Sequence, residues 1–428
     1  MAIQAAISLF EKGPPDWVRA HAWPLFWGAL AFVFLAVVKI YSSGRFNPID
    51  RPLHGKVVIL TGGTSGIGAQ VAKQLANRGA QLVLLTQSPS TDPFLFEYIE
   101  DLRTTSNNQL IYSEQVDLSS LHSIRKFATK WIDNAPPRRL DMVVLCASTL
   151  TPPGGKRKLT AEGIEETWMV NFLANFHLLG ILSPALRAQP VDRDVRVVLT
   201  TCSSYIGSPS LKEDFSANKW SANAAYARSK LALNVFGKAF QKHLSSYKRP
   251  DGLPMNTRVV FVDPGFSRTP GMRRWLTRGS LFGLSTYLAF YFVPWLLLKS
   301  PLMGAQSILY ACMEGSLGRG EGGRFVKECM EMDFARAEVS DEDVAKKLWE
   351  ESDALIERVE KAEAKKRAAQ KAKEDKAKEK AKEDEQKAEI ESLMSAVKKG
   401  RDRAKQEDKL SANQAKSKKR GKKSKEES

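Results

Sequence analysis

Tyr226-Ala-Arg-Ser-Lys230 sets a phenol and an ammonium four residues apart in a stretch with helical periodicity, Ala222 to Leu244. That spacing stacks both groups on one helix face, a turn apart. A neighbouring ammonium favours phenolate and lowers the phenol pKa toward neutrality, which suits proton exchange with a carbonyl or alcohol oxygen. Alone, such a pair is usually a solvated helix face. Ser203-Ser204-Tyr205-Ile206-Gly207 closes the apolar run Val195–Thr200. This places a hydroxyl at the carboxyl end of a strand, where open α/β sheets bind ligands. Pro264-Gly265 ends the following run, Arg258–Val262, with Thr269 just beyond.

A third group of residues could hold a phosphate. Thr61-Gly62-Gly63-Thr64-Ser65-Gly66-Ile67-Gly68 lies between the apolar run Val57–Leu60 and a helical pattern, Ala69–Arg78. A glycine-rich turn between strand and helix lets the backbone approach a pyrophosphate, and the helix N-terminus offers unpaired N–H groups to the anion.

These residues need a scaffold, and the intervening pattern supplies one. Strands are expected at Val57–Leu60, Leu82–Leu85, Leu110–Gln115, Met142–Leu145, Val195–Thr200 and Arg258–Val262. Helices are expected at Ala69–Arg78, Phe94–Thr104, Ser119–Ile132, Glu162–Leu182, Ala222–Leu244 and Met303–Glu314. Such alternation predicts an α/β fold, a Rossmann-type doubly wound parallel sheet with both faces covered. Three regions follow: residues 1–45, an alternating strand–helix region from Lys56 to about Asp333 closed by a terminal helix at Glu338–Val359, and a Lys/Glu-rich tail at 359–428. The tail carries 24 basic and 15 acidic side chains, about half of the net +17. It lacks an apolar stripe and reads as a solvated helix or a disordered segment. The four cysteines, Cys146, Cys202, Cys312 and Cys329, form no CxxC or Cys/His cluster, so neither a metal site nor a disulfide framework is expected.

Ala22 to Val38 contains no charged residue and is long enough, at 1.5 Å per residue, to approach the thickness of a bilayer core. Lys12 and Arg19 precede it, whereas Lys39, Arg45, Arg51 and Lys56 follow, which predicts a membrane anchor at about 22–40 with the following domain facing the cytosol. A shallow hairpin is the alternative insertion.

Taken in order, the glycine turn, Asp117-Leu118-Ser119, Asn171, Ser204, Tyr226-x-x-x-Lys230 and Pro264-Gly265 resemble the short-chain dehydrogenase/reductase family. Val116-Asp117-Leu118-Ser119-Ser120-Leu121, Trp168-Met169-Val170-Asn171-Phe172-Leu173 and Gly304-Ala305-Gln306-Ser307 extend the resemblance to its membrane-bound, retinol dehydrogenase-like members, including fungal ones of the lipid-droplet type. The resemblance covers roughly residues 50–358 and implies roles. Tyr226 is the general acid or base. Lys230 binds the nicotinamide ribose and lowers the tyrosine pKa. Ser204, or failing it Ser203, polarises the substrate oxygen. Asn171 kinks its helix and holds a relay water. Gly62, Gly66 and Gly68 form the phosphate turn, Asp117 meets the adenine and Thr269 the carboxamide. Thr64, Ser65, Ile67, Gln87, Ala147 and Pro264 are placed along the cofactor.

Two departures from the family pattern matter. Leu145-Cys146-Ala147-Ser148 replaces Asn-Asn-Ala-Gly, and Cys146 cannot reproduce the two-sided hydrogen bonding of an asparagine. At the end of the second strand, Gln87 stands where an acid would select NAD or an arginine NADP. The missing carboxylate tilts the expectation toward NADP(H) over NAD(H).

The stretch Ser280–Leu298 is apolar enough to read as a second span, but spanning there would split the nucleotide domain across a membrane. An apolar substrate lid at about 271–300 that dips into the membrane surface is the favoured reading, with a plain packed loop helix as the alternative. The expected activity is hydride transfer between NADP(H) and a lipophilic carbonyl or alcohol, retinoid-, sterol- or fatty-aldehyde-like, at the endoplasmic reticulum or a lipid droplet. The competing reading is a catalytically weak, cofactor-binding scaffold. No nucleic-acid partner is expected, because the basic tail, Lys416 to Lys425, interleaves no aromatics for base stacking. A homodimer is compatible with the pattern.

Overall fold

The computed structural model describes residues 16–134, 136–213, 215 and 220–423. Lys12, most of the insertion between Leu211 and Trp220, the side chains of the basic cluster at 416–423 and the residues that follow lie outside the described residues. The chain divides into two compact units, residues 1–358 and 359–428.

The first unit is built on one eight-stranded sheet of order β3-β2-β1-β4-β5-β6-β7-β8. The strands are β1 Val57–Thr61, β2 Gln81–Thr86, β3 Ile111–Gln115, β4 Met142–Leu145, β5 Val195–Thr200, β6 Thr257–Asp263, β7 Arg324–Lys327 and β8 Met330–Met332. The first seven are parallel and β8 runs antiparallel to β7. The order reverses between β1 and β4, and ligands of doubly wound sheets bind at the carboxyl ends of strands beside such a switch. Strands β1, β4 and β5 are buried along their whole length, which explains why they read as continuous Val/Leu/Ile runs rather than alternating ones.

Helices cover both faces. Helix α1, Ala22–Ser43, precedes the sheet. On one face α2 (Gly66–Asn77) packs against α3 (Pro93–Ser106). On the other, α4 (Leu121–Ile132) packs against α5 (Ala174–Arg187), and α6 (Ala222–Ser246) lies beside α5. The lid stretch consists of α7 (Pro270–Leu276), α8 (Leu281–Ala289) and α9 (Phe292–Leu297). These are short helices with breaks between them, so the sequence's second span is absent as a continuous helix. Helix α10 (Pro301–Met313) returns to pack on α2. Helix α11, Glu342–Lys423, starts in the first unit, where Trp349 meets Phe176 edge-on at 5.3 Å and Phe236 at a tilt at 5.7 Å. The second unit is helical to Lys423, with every described side chain from 364 onward exposed.

Among the described residues two helices are long and apolar enough to cross a membrane. The one ending at Arg187 is mostly buried and forms the core of the second face. Ala22–Ser43 buries none of its residues, and Phe32, Phe34 and Ile40 are exposed.

One buried ionic cluster fixes the start of the sheet. The carboxylate of Asp141 accepts from Arg139 Nε at 2.6 Å, Lys56 Nζ at 3.1 Å and the Val57 N–H at 2.9 Å, tying β1 to β4. Burial works against its charge, but the bonds from Arg139, Val57 and Lys56 outweigh it and hold the carboxyl below its ordinary range. The stability it supplies is therefore present above about pH 4, the unfolded carboxylate value, and is lost as pH falls through the depressed folded value. Removing one partner of a buried pair costs about 3–5 kcal/mol, so Asp141→Asn should lower the unfolding free energy by that order in urea titrations of the full chain. A loss within experimental error would mean that the cluster is not a structural tie.

Candidate active site

The glycine turn is shaped by close backbone approach. Gly62 takes φ +68°, and a Cβ there would lie 2.8 Å from the backbone of Ala147. A Cβ on Gly68 would lie 2.1 Å from the carbonyl oxygen of Gly62. Gly66, at φ +57°, faces the Thr269 methyl, so the phosphate turn and the loop after β6 close on one another. Thr64 and Ser65 are exposed on the turn, and Ser65 caps α2 without spending its hydroxyl on the helix. Ile67 packs back on the core, and Tyr98 Oη donates to the Gly63 carbonyl at 2.7 Å. The result is a cradle that side chains would fill, at a helix N-terminus whose N–H groups remain available for an anion. These residues fit a dinucleotide.

The remaining cofactor candidates line the same strand ends. Gln87 is exposed at the end of β2, and no acid stands there. Asp117 follows β3 and accepts from the Ser119 N–H at 2.8 Å and its hydroxyl at 2.7 Å, which fixes the loop. Ala147 N donates to Thr61 Oγ1 at 3.2 Å, joining β4 to the base of the turn. Pro264 is buried, and Thr269 caps α7 by accepting from Met272 N at 3.2 Å.

Asn171 lies in a π-helical turn, Met169–Leu173, that interrupts the helix between Glu166 and Arg187. The wider turn displaces the ladder, as single π-turns at functional sites do. Its side-chain carbonyl accepts from Thr149 N at 2.7 Å, and its amide donates to Thr149 O at 3.0 Å and Ser229 Oγ at 3.1 Å. Ser229 in turn donates to the Tyr226 carbonyl at 2.7 Å. The Asn171 carbonyl accepts from Asn175 Nδ2 at 2.9 Å, so the position expected to hold a relay water already has one side-chain donor.

Tyr226 and Lys230 share a face of α6. The Lys230 ammonium is 5.6 Å from the Tyr226 ring and donates to the Thr200 carbonyl at 3.1 Å. Here the structure corrects the sequence reading. Burial, and then the Cys202 thiol beside it, push the Tyr226 phenol well above its ordinary value, with the Ser148 hydroxyl opposing. Burial also lowers Lys230, opposed by Cys202, Cys146 and Asp263. Desolvation sets the direction of the shift, and the phenol is held protonated.

The two serines are separated by their partners. Ser203 Oγ bonds the Asp263 carboxylate and accepts from Lys327 Nζ at 2.9 Å, so it is engaged by β6 and β7. Ser204 meets Cys202 Sγ at 2.7 Å, and that thiol lies 3.6 Å from Tyr226 Oη. In the sequence Cys202 is only one of four scattered cysteines. Nothing in its spacing distinguishes it, and only its place at the end of β5, two residues before Ser204, could have pointed to the site. Cys146 accepts from Thr200 Oγ1 at 3.4 Å, a one-sided replacement for the asparagine brace, and burial pushes its thiol up to about 11.

Helices α7 to α9 lead directly from this site. Trp275 Nε1 on α7 donates to Asn223 Oδ1 at the start of the Tyr226 helix, 3.3 Å away. Beyond it Leu281, Phe282, Leu288 and Phe290 are exposed.

Residues 56–278 match the family model described as short chain dehydrogenase. The chain is 42% identical over 344 residues to an uncharacterized oxidoreductase of Schizosaccharomyces pombe, covering 79% of this chain and 91% of that one. It is 31% identical to retinol dehydrogenase 13 of Homo sapiens, over 75% of this chain and 90% of that one. It is 32% identical to polyprenol dehydrogenase of Mus musculus, over 74% and 89% respectively. The protein belongs to the short-chain dehydrogenase family and is of the retinol dehydrogenase-like type. It is an NAD(P)-dependent oxidoreductase acting on alcohol donors.

Proposed function

We propose that the enzyme is membrane-anchored, faces the cytosol from the endoplasmic reticulum or a lipid droplet, and interconverts a lipophilic alcohol and its carbonyl compound with NADP(H). The observation that carries this reading is the apolar surface next to the helix that carries Tyr226 and Lys230. The exposed lid residues Leu281, Phe282, Leu288 and Phe290 follow Trp275, which touches the Tyr226 helix. An exposed apolar surface of this kind marks a membrane or lipophilic-ligand site. The apolar helix α1 packs on α9, which supports a reading in which anchor and substrate lid share one surface. Retinol and polyprenol, named in two relatives, are both isoprenoid alcohols. A substrate of that class would reach the cleft from the lipid phase.

The residues divide the work. When bound, the nicotinamide supplies or accepts the hydride at the substrate carbon. Tyr226 Oη gives the carbonyl oxygen its proton in reduction and takes it back in oxidation. Ser204 Oγ donates to the same oxygen and polarises it. Lys230 holds the ribose, and Asn171, through Ser229, fixes the helix turn that carries Tyr226. Gly62, Gly66 and Gly68 admit the pyrophosphate, with Thr64, Ser65 and Ile67 around it. Thr269 and Pro264 border the carboxamide, and Ala147 and Asp117 the nucleoside side. Gln87 leaves a ribose phosphate unopposed by any acid, which favours NADP(H).

Steady-state kinetics of the full chain in lipid nanodiscs test both parts. NADPH is expected to show the lower Michaelis constant, and a preference of about tenfold or more for NADH, some 1.4 kcal/mol, would sink the cofactor assignment. A long isoprenoid aldehyde is expected to exceed a short soluble aldehyde in kcat/KM by about two orders of magnitude, since each buried methylene contributes about 0.8 kcal/mol. Equal values would remove the lipophilic substrate.

A further inference from the structure

Lys299 is the residue at which the lid rejoins the body of the domain, and it is only 7% exposed. A buried ammonium needs a partner, and Lys299 Nζ has the carboxylate of Glu328. The same ammonium reaches the Pro264 carbonyl at 3.4 Å. A Cβ on Gly265, at φ +73°, would lie 2.8 Å from it, so the head group is packed onto the Pro264-Gly265 turn. The backbone of Lys299 clamps the next residues: its N–H donates to Phe266 O at 3.0 Å and its carbonyl accepts from Arg268 N at 2.9 Å. Thr269, the carboxamide candidate, follows at once.

Glu328 faces the other way as well. Its carboxylate accepts the Arg45 N–H at 3.1 Å, immediately after the anchor helix. Gly44 is at φ +76°, a strained conformation for any side chain, and a Cβ there would lie 2.5 Å from Glu328 Oε2 and 2.7 Å from Lys299 Cε, so a substitution would have to displace the ion pair. Glu328 itself sits at φ +52°, an unfavourable backbone position for a residue with a side chain. Such conformations persist when their surroundings impose them, and they cluster at functional sites. The anchor is held on the lid by a second set of bonds. Lys39 Nζ donates to the Trp295 carbonyl at 2.7 Å and lies 4.8 Å from the Trp295 ring. Ser42 Oγ donates to Leu296 O at 2.5 Å.

We propose that Lys299 is a positioning residue for the cofactor turn Pro264-Gly265, and that Glu328 and the lid helix α9 make its position depend on the docked anchor. The anchor is then part of the enzyme's working geometry as well as its tether. A helix seated against Trp295 and Leu296 holds Lys299 in place, and Lys299 holds the nicotinamide side of the cradle. This inference rests on the cofactor reading given above.

The test is nucleotide affinity, read without turnover, by energy transfer from tryptophan to NADPH in the full chain in phosphatidylcholine nanodiscs. Losing a hydrogen bond to a charged group costs enough that Lys299→Met should weaken NADPH binding by about tenfold or more, and Glu328→Gln by about fivefold. Lys299→Arg should restore affinity to within about twofold, because it returns the charge and the donors, whereas a purely space-filling role would be served as well by Met. Lys39→Met, which removes the bond to the Trp295 carbonyl and the like charge facing Arg268, should weaken NADPH binding by about threefold, the loss of one such bond at a partly exposed site. Lys130→Ala, on the exposed face of α4, is the control with unchanged affinity. Wild-type affinity in Lys299→Met and Glu328→Gln overturns the positioning role, and wild-type affinity in Lys39→Met overturns its dependence on the anchor. A wild-type protein that binds neither NADPH nor NADH defeats the cofactor reading itself, a result seen before any variant is made.

Discussion

Tyr226→Phe should reduce kcat by about a thousandfold or more while leaving nucleotide affinity within about twofold, because general acid–base catalysis by a positioned side chain contributes 10²–10⁴. The substitution removes one oxygen and keeps the ring. The neighbours of that oxygen are the Cys202 thiol at 3.6 Å and the Ser148 hydroxyl, and neither ties it into the fold as Asn171 and Ser229 are tied. Thermal stability should therefore be near wild type, which separates lost chemistry from lost structure. The two directions of the reaction should also differ in pH dependence. Burial and Cys202 hold the phenol protonated at neutral pH, the form needed to reduce a carbonyl. Oxidation needs the phenolate, so kcat for alcohol oxidation should climb through the alkaline range while reduction stays level across neutrality. Retention of more than a tenth of wild-type kcat in Tyr226→Phe, at unchanged pH dependence, would remove Tyr226 from the mechanism.

The sheet was legible in the sequence because its central strands are buried on both faces and read as unbroken apolar runs. Met142–Leu145 and Val195–Thr200 fall where the pattern put them. The last two strands were not legible, for a local reason. Strands β7 and β8 are joined by Glu328 and Cys329, both at positive φ, where a tight hairpin usually shows glycine or asparagine. With neither residue present, and with β8 exposed, no turn signal or apolar run marks the hairpin. The lid's composition imitates a span, and its helical breaks, at Phe290 and around Arg278, carry no proline at the point of interruption. In the site, residue types named the groups but not their electrostatics. Tyr226 and Lys230 are as close as the i, i+4 spacing demands, yet desolvation, which no spacing reveals, decides the direction of the phenol's shift. The distinction between Ser203 and Ser204 was likewise hidden. It depends on Asp263 and Lys327, which only the pairing of β6 with β7 brings to Ser203.

Gly68→Ala should weaken NADPH binding by about a hundredfold and lower stability by about 2–4 kcal/mol, the range of other strained core substitutions. The added methyl would lie 2.1 Å from the Gly62 carbonyl oxygen and 2.8 Å from its carbon. Both atoms are backbone, so no rotamer change relieves the contact. Gly62 cannot yield readily, since its own Cα side faces the Ala147 backbone. Helix α2 cannot retreat either: Val71, Ala72, Leu75 and Ala76 are fully buried behind it. The turn must open, and the N–H groups that would meet the pyrophosphate lose their common direction. Gly63→Ala is the informative comparison. Its methyl would meet the side chains of Leu84 at 2.9 Å and Leu60 at 3.0 Å, both fully buried, so it overpacks the core and lowers stability but presses on no backbone atom of the cradle, and binding should fall by about tenfold at most. Equal affinities in Gly68→Ala and wild type, measured by nucleotide titration of the folded variants, would mean that the phosphate is held elsewhere. Equal losses in Gly68→Ala and Gly63→Ala would mean that core packing, and not the backbone cradle, sets the affinity.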